Sequence, residues 1–186
     1  MAKITYNDKV SINENADIPA INKCQASDMN EIKQVVNEND DKIGELQPNI
    51  ITAELVKQIS VTPQSGTINL TDAVIVGNKL SFANGKVIIG AGVSKVKISG
   101  NMRVSSSGSS LGVNLNIFKN NDIYAASNRT GVGADGYDGI AVSPKLIEVL
   151  EGDTIDMRYW KSSSTQSMTI LGNTYGSTYL TVEVVE

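Results

Sequence analysis

The eight residues "LGVNLNIF", 111 to 118, alternate without a break. Leu111, Val113, Leu115 and Ile117 fall on one side, and Gly112, Asn114, Asn116 and Phe118 fall on the other. A period of two fits a β-strand with one buried face and does not fit a helix. The same pattern returns in "VIIGAGVSKVKISGNMRVSSS" and in "STYLTVEVVE". In the last run Leu180, Val182 and Val184 oppose Tyr179, Thr181, Glu183 and Val185. "KNND", 119 to 122, reads as a hairpin turn, because Asn and Asp tolerate positive φ. "IAVSPKLIEVLEGDTIDMRYWKSS" gives two more strands around the turn "EGD", 151 to 153. "SSSGSS", 105 to 110, reads as an exposed loop. From about residue 55 onward the chain therefore predicts seven to ten short strands and no helix, an all-β sandwich or barrel.

Ahead of this β region the language changes. In "SDMNEIKQVVNENDDKIGEL", Met29, Ile32, Val36, Ile43 and Leu46 hold a 3-4 spacing whose one polar member is Asn39. Ser27 is a suitable N-cap, Asp28 and Glu31 suit the positive end of the helix dipole, and Gly44 and Pro48 supply a stop. The spacing predicts a helix over about 28 to 44. So short a helix gains most of its stability from packing, either on its own β domain or on copies of itself. The stripe is narrow and its flanks are strongly polar, which favours copies. β-branched residues at seam positions favour more than two strands, and Asn39 on a shared axis would fix register. A short parallel bundle feeding a β globule points to a trimer. Residues 1–26 mix turns with extended chain, and Pro19 biases Ile18 away from the helical region. They read as an arm that packs on something else, with Cys24 as a small buried apolar residue. The expected division is thus an arm at 1–26, a coiled-coil helix at 27–47 and a β knob at 48–186.

Composition narrows the chemistry. The chain of 186 residues has no histidine and a single cysteine. It therefore lacks the commonest general base, cannot build a Ser-His-Asp or Cys-His arrangement, and cannot form an internal disulfide. The formal net charge of −4 offers no basic field for nucleic acid. There is no apolar run long enough for a membrane-spanning helix, and "MAKITYNDKV" does not read as a secretory signal. No cofactor and no metal are expected.

Two resemblances add to this reading. The opening run through "INKCQASDMNEIKQVVNEND" resembles the first segment of small bacteriophage virion-appendage proteins, in which an anchoring module precedes a coiled coil. The C-terminal half, with "VLEGDTIDMRYW" and the closing "TYLTVEVVE", is similar to the jelly roll of the C1q and tumour-necrosis-factor superfamily, which also caps phage fibres. That resemblance implies ten strands in two sheets, a tight trimer and a last strand inside the sandwich near a threefold axis. Aromatic residues are few, two Phe, six Tyr and one Trp, so aliphatic side chains would form the trimer contacts.

Candidate binding chemistry lies in three places. "GVGADGYDGI", 131 to 140, holds Asp135 and Asp138, which would suit Ca²⁺ only with much help from backbone carbonyls, and Tyr137, which would stack on a sugar ring at the tip of a knob. The plain alternative is a turn-rich exposed loop. "DMRYWKSSS" puts Arg158 and Trp160 on one strand face and Tyr159 and Lys161 on the other. Trp160, with Tyr175 from "LGNTYGSTY", would form a glycan platform; the plain alternative is a buried aromatic at a sheet edge. Asp153 and Asp156, with Glu148 and Glu151, form the one dense carboxylate group. It would serve a glycosidase only if two of them faced each other across a cleft, and such residues usually form turns and solvated edges.

The sequence thus predicts a non-enzymatic, homotrimeric phage structural protein, a head fibre or a tail or baseplate fibre on the virion surface. Its arm would bind other virion proteins and its knob the host surface or its glycans. The alternatives are a carboxylate-based cell-wall glycan depolymerase and a non-viral C1q-like binding module.

Overall fold

A computed structural model describes residues 26–45, 48–172 and 178–185. The arm through residue 25 with Cys24, the seam residue Leu46 and the loop residue Tyr175 lie outside the described residues. The chain groups into two units that divide between Gln47 and Pro48.

The first unit carries helix α1, Ala26–Glu45. It starts two residues earlier than the capping signal suggests, so Ser27 sits inside the first turn instead of before it, and Gly44 lies within the last turn. Helix ends are set by small energies, and a one- or two-residue slip is the ordinary scale of such a difference. Gln34 and Glu38 hydrogen bond one turn apart at 2.7 Å on the polar side. Met29, Ile32, Val35, Val36 and Ile43 are all exposed, between 39% and 54%.

The second unit has fourteen strands: β1 (Ile50–Glu54), β2 (Ile59–Val61), β3 (Ser65–Thr67), β4 (Asp72–Val76), β5 (Leu80–Ala83), β6 (Lys86–Ile89), β7 (Lys95–Ser106), β8 (Leu111–Lys119), β9 (Asp122–Ala126), β10 (Thr130–Val132), β11 (Tyr137–Glu148), β12 (Thr154–Lys161), β13 (Met168–Ile170) and β14 (Tyr179–Val184). The count exceeds the expected seven to ten because four strands are only three residues long, too short for a period to register in sequence. All pairings are antiparallel and make two seven-stranded sheets. The first has the order β2-β13-β7-β14-β1-β4 with β11 also on β7; the second has β10-β8-β12-β6-β5 with β3 on β12 and β9 on β8.

The periodic runs become the walls of the core. Leu111, Val113, Leu115 and Ile117 of β8 face Val96, Ile98, Met102 and Val104 of β7, joined by Leu180 and Val182 of β14, all at most 1% exposed. β14 lies between β7 and β1, so the last strand is interior to its sheet. Gly100 interrupts the β7 series where the sheets approach closely: a Cβ there would lie 2.9 Å from the Met157 sulfur. The β8–β9 hairpin turns on Asn120 and Asn121, both at positive φ, the pairing a two-residue type I′ turn requires. Pro144 sits where the β11–β7 register shifts between Val142 and Lys145, a bulge that spares a ladder donor. Ser105 and Ser106 are not loop residues. They end β7, and buried Ser106 donates from its hydroxyl toward Ser109 O and Gly133 O.

Among the described residues the core contains one cation. Lys161 continues the inward face of β12 and is completely buried. Its Nζ donates to the carbonyls of Thr62, Ser163 and Gln166 at 2.5–2.7 Å. The ammonium's three donors are thus all used, and they tie the loop after β12 to the end of β2. Replacing Lys161 with Met keeps the apolar stem but leaves three carbonyls without this partner. The variant is expected to lose about 3 kcal/mol or more, read as a lower urea midpoint with an unchanged slope.

Candidate functional site

The alternation that sends Ile155, Met157, Tyr159 and Lys161 inward sends Asp156, Arg158 and Trp160 to the outer face of the second sheet. β12 is a central strand, between β8 and β6, and not the sheet edge that a buried Trp160 would have occupied. The antiparallel register places Trp160 opposite Asn114, Arg158 opposite Asn116 and Asp156 opposite Phe118. The outer residues of β12 and β8 thus form one continuous polar and aromatic surface, with Trp160 half-exposed on it.

At one end of this surface Asp156 is fully buried and heavily compensated. Arg158 grips it with Nε to Oδ1 at 2.7 Å and Nη2 to Oδ2 at 3.2 Å, and Lys86 approaches Oδ2 at 3.5 Å. Arg158 also donates to Asn121 Oδ1 at 2.7 Å, and its guanidinium lies 4.0 Å from the Phe118 ring centre. The hydrogen bond it donates to Asp156 holds the guanidinium pKa above its ordinary value against the opposing pull of burial. Asp156 is therefore neither a solvated edge charge nor a free carboxylate; Arg158 and Phe118 cover it.

At the other end the exposed Arg129 reaches across β8 at Gly112, where any Cβ would collide with its guanidinium, and stops 5.3 Å from the Trp160 ring centre. Among the described residues no carboxylate pairs with Arg129. Between the two ends the Asn116 side chain, half-buried, makes no hydrogen bond among the described residues. Asn114 donates to Ser127 O at 3.2 Å.

The other sequence candidates are placed elsewhere. Tyr137 is 68% exposed at the start of β11, opposite Ser105 in the first sheet, and so not on the surface that holds Trp160. Asp135, at positive φ, accepts from the Gly108 N–H through Oδ1 at 3.0 Å, and Asp138 accepts from the Gly139 N–H at 2.8 Å. Both carboxylates brace turns. Two open grooves, of about 450 and 570 Å³, lie beside Lys95 and Lys119 and beside Ile123 and Pro144.

Asp153 is a turn former with several partners. It accepts from the Leu150 N–H at 2.9 Å and from the Asn120 amide, and Lys119 lies 3.5 Å away. Burial pushes its carboxyl pKa up, but the Leu150 and Asn120 hydrogen bonds and the Lys119 charge outweigh that and hold it below the usual carboxylate range. Glu151 is exposed in the same turn, and Glu148 ends β11 with its backbone carbonyl accepting from Lys119. Asp153 and Asp156 thus belong to two separate charge clusters.

No family model and no curated protein matches the chain. Solved structures do match its shape. The crystal structure of murine APRIL aligns with a TM-score of 0.55 at 10% identity, over 74% of this chain and 99% of that one. The structure of Eiger TNF from S. frugiperda aligns at 0.54 and 8% identity, over 75% and 94%. The β unit is a jelly-roll sandwich of the tumour-necrosis-factor type. The twelve residues "VLEGDTIDMRYW" that carry the resemblance in sequence run from the end of β11 through the Asp153 turn into β12.

Sequence reasoning set Arg158 and Trp160 on one face but missed Phe118, Asn116, Gly112 and Arg129 as their neighbours. The alternation of β8 already presented 112, 114, 116 and 118 together; what joins them to β12 is strand order, which one sequence does not carry.

A depressed carboxyl pKa contributes stability above the unfolded value, near 3.9, and loses it as pH falls through the folded value. Asp153→Asn is therefore expected to lower stability by about 1–2 kcal/mol at pH 7. That gap should narrow in urea unfolding as the pH falls below the unfolded value and through the depressed native one, where the native carboxyl takes up its proton.

Proposed function

We propose that this chain is the subunit of a homotrimeric bacteriophage appendage, a head fibre or a tail or baseplate fibre exposed on the virion. The observation that carries the reading is the helix: Met29, Ile32, Val36 and Ile43, all on one seam, are exposed in the single chain. An apolar stripe at 3-4 spacing with polar flanks is satisfied by copies of itself. The jelly-roll likeness supports the same stoichiometry, since domains of this superfamily form tight trimers. The β unit also leaves Val74, Ile75 and Val76 of its edge strand β4, and Leu146 and Leu150, exposed. Bare apolar edges of this kind call for a covering partner.

The resemblance of residues 1 to about 45 to virion-anchoring segments supports attachment through the arm to other virion proteins. The knob then faces outward toward the host surface or its glycans. Three chains per appendage and many appendages per particle would turn weak single contacts into avidity without catalysis.

Light scattering coupled to size exclusion is expected to give about three times the 19.8 kDa chain mass at micromolar concentration. Ile32→Asp with Val36→Asp removes about 1.5–3 kcal/mol of apolar burial per side chain. It should weaken association more than about a hundredfold, so that the trimer dissociates on dilution. A wild-type monomer overturns the reading.

A further inference from the structure

The outer face of the second sheet carries an exposed guanidinium with no anion beside it among the described residues. Arg129 lies over the bare backbone of Gly112 and against the ring of Trp160, and among the described residues no carboxylate neutralises it. Arg158, on the same face, is also set against a ring, but its charge is spent on Asp156. The two cation–aromatic pairs therefore differ: one is closed, and the other is open to solvent on the side away from the ring.

Their spacing is fixed by the ladder. Trp160 and Phe118 stand two outward positions apart along the register, roughly 13 Å at the rise of a strand. Between them lies Asn116, whose amide offers both donors and acceptor. Along the register the Arg129 guanidinium over Gly112, the Trp160 ring, the Asn116 amide opposite Arg158 and the Phe118 ring follow one another on one surface. An anionic sugar polymer presents the complementary set: apolar ring faces, hydroxyls and a repeating negative charge. A guanidinium recognises carboxylate or phosphate by paired N–H donors.

We propose that this surface binds an anionic glycan, with Arg129 seating a carboxylate or phosphate, Asn116 hydrogen bonding a hydroxyl, and Trp160 and Phe118 flanking the sugar rings. The inference rests on the outward-facing knob proposed above and assigns that knob its ligand class and contact residues.

The test uses the full chain and three immobilised polymers of similar length: oligogalacturonate, phosphorylated dextran and neutral dextran. At low salt the wild type is expected to bind at least one of the two anionic polymers and to leave dextran unbound. Binding should weaken as salt rises. The polymer that binds tells whether carboxylate or phosphate is the recognised group. Arg129→Gln should weaken binding at least tenfold with an unchanged melting temperature. Gly112→Ala should do the same without altering the net charge, because it displaces the guanidinium from Trp160. Lys57→Gln, which removes an exposed cation outside this surface, should bind like the wild type. Absence of binding to both anionic polymers, equal binding to dextran, or wild-type binding by Arg129→Gln overturns the inference, as does equal loss in Lys57→Gln. Light scattering on the same samples separates this from the appendage reading. A trimer that ignores both anionic polymers overturns the glycan inference alone, and a monomer that binds them keeps it and removes the trimer.

Discussion

The structure depends on one constraint, the simultaneous burial of two alternating faces. β7 and β14 from one sheet and β8 and β12 from the other supply every second residue to a shared apolar layer, and those residues are almost completely excluded from water. A register slip of one residue in any of them would exchange a buried set for an exposed one. The polar devices of the core serve that constraint. Lys161 stands at the end of an inward-facing series and is tolerated because three carbonyls saturate it. Asp156 is buried on the opposite side of the same strand because Arg158 and Lys86 compensate it. Each is a charge that burial permits only with its partners in place.

The same alternation that builds the core also builds the outer surface. Once Ile155, Met157 and Tyr159 are committed inward, Asp156, Arg158 and Trp160 have no choice of side, and β8 contributes Asn114, Asn116 and Phe118 by the same rule. The surface is therefore as rigid as the core beneath it. Its chemistry is set by which outward residues neighbour one another, and β12, with β8 on one side and β6 and β3 on the other, decides which of them meet.

Much of this was legible in the residues. The long strands, the Asn-Asn hairpin, the "EGD" turn and the all-β class follow from period two and from turn chemistry that acts within a few residues, and the jelly roll from the resemblance of "VLEGDTIDMRYW" and "TYLTVEVVE". The three-residue strands were not legible, because Thr130–Val132 or Met168–Ile170 are too short to show a period and exist only as partners of longer strands. Nor was the burial of Lys161 and Asp156: residue type predicts exposure for both, and only the cross-strand partners reverse it. The "SSSGSS" segment misled for a related reason. Its composition is that of a loop, yet Ser105 and Ser106 are drawn into β7 by pairing with β11 and β13. The proposed site was half legible, with Trp160 and Arg158 assigned to one face and Arg129 hidden behind a strand order that becomes visible only in three dimensions.

The helix raises the complementary question, since its seam residues Met29, Ile32, Val36 and Ile43 are exposed. In the proposed trimer, self-association would supply their cover and make the jelly roll one third of a larger object. The most direct measurement is pulsed dipolar spectroscopy on Gln34→Cys in a Cys24→Ser background. The spin label then sits on the polar side of the helix, away from the seam. Three parallel helices around one axis predict a narrow intermolecular distance with a three-spin contribution. A signal that decays as for isolated spins would contradict the account.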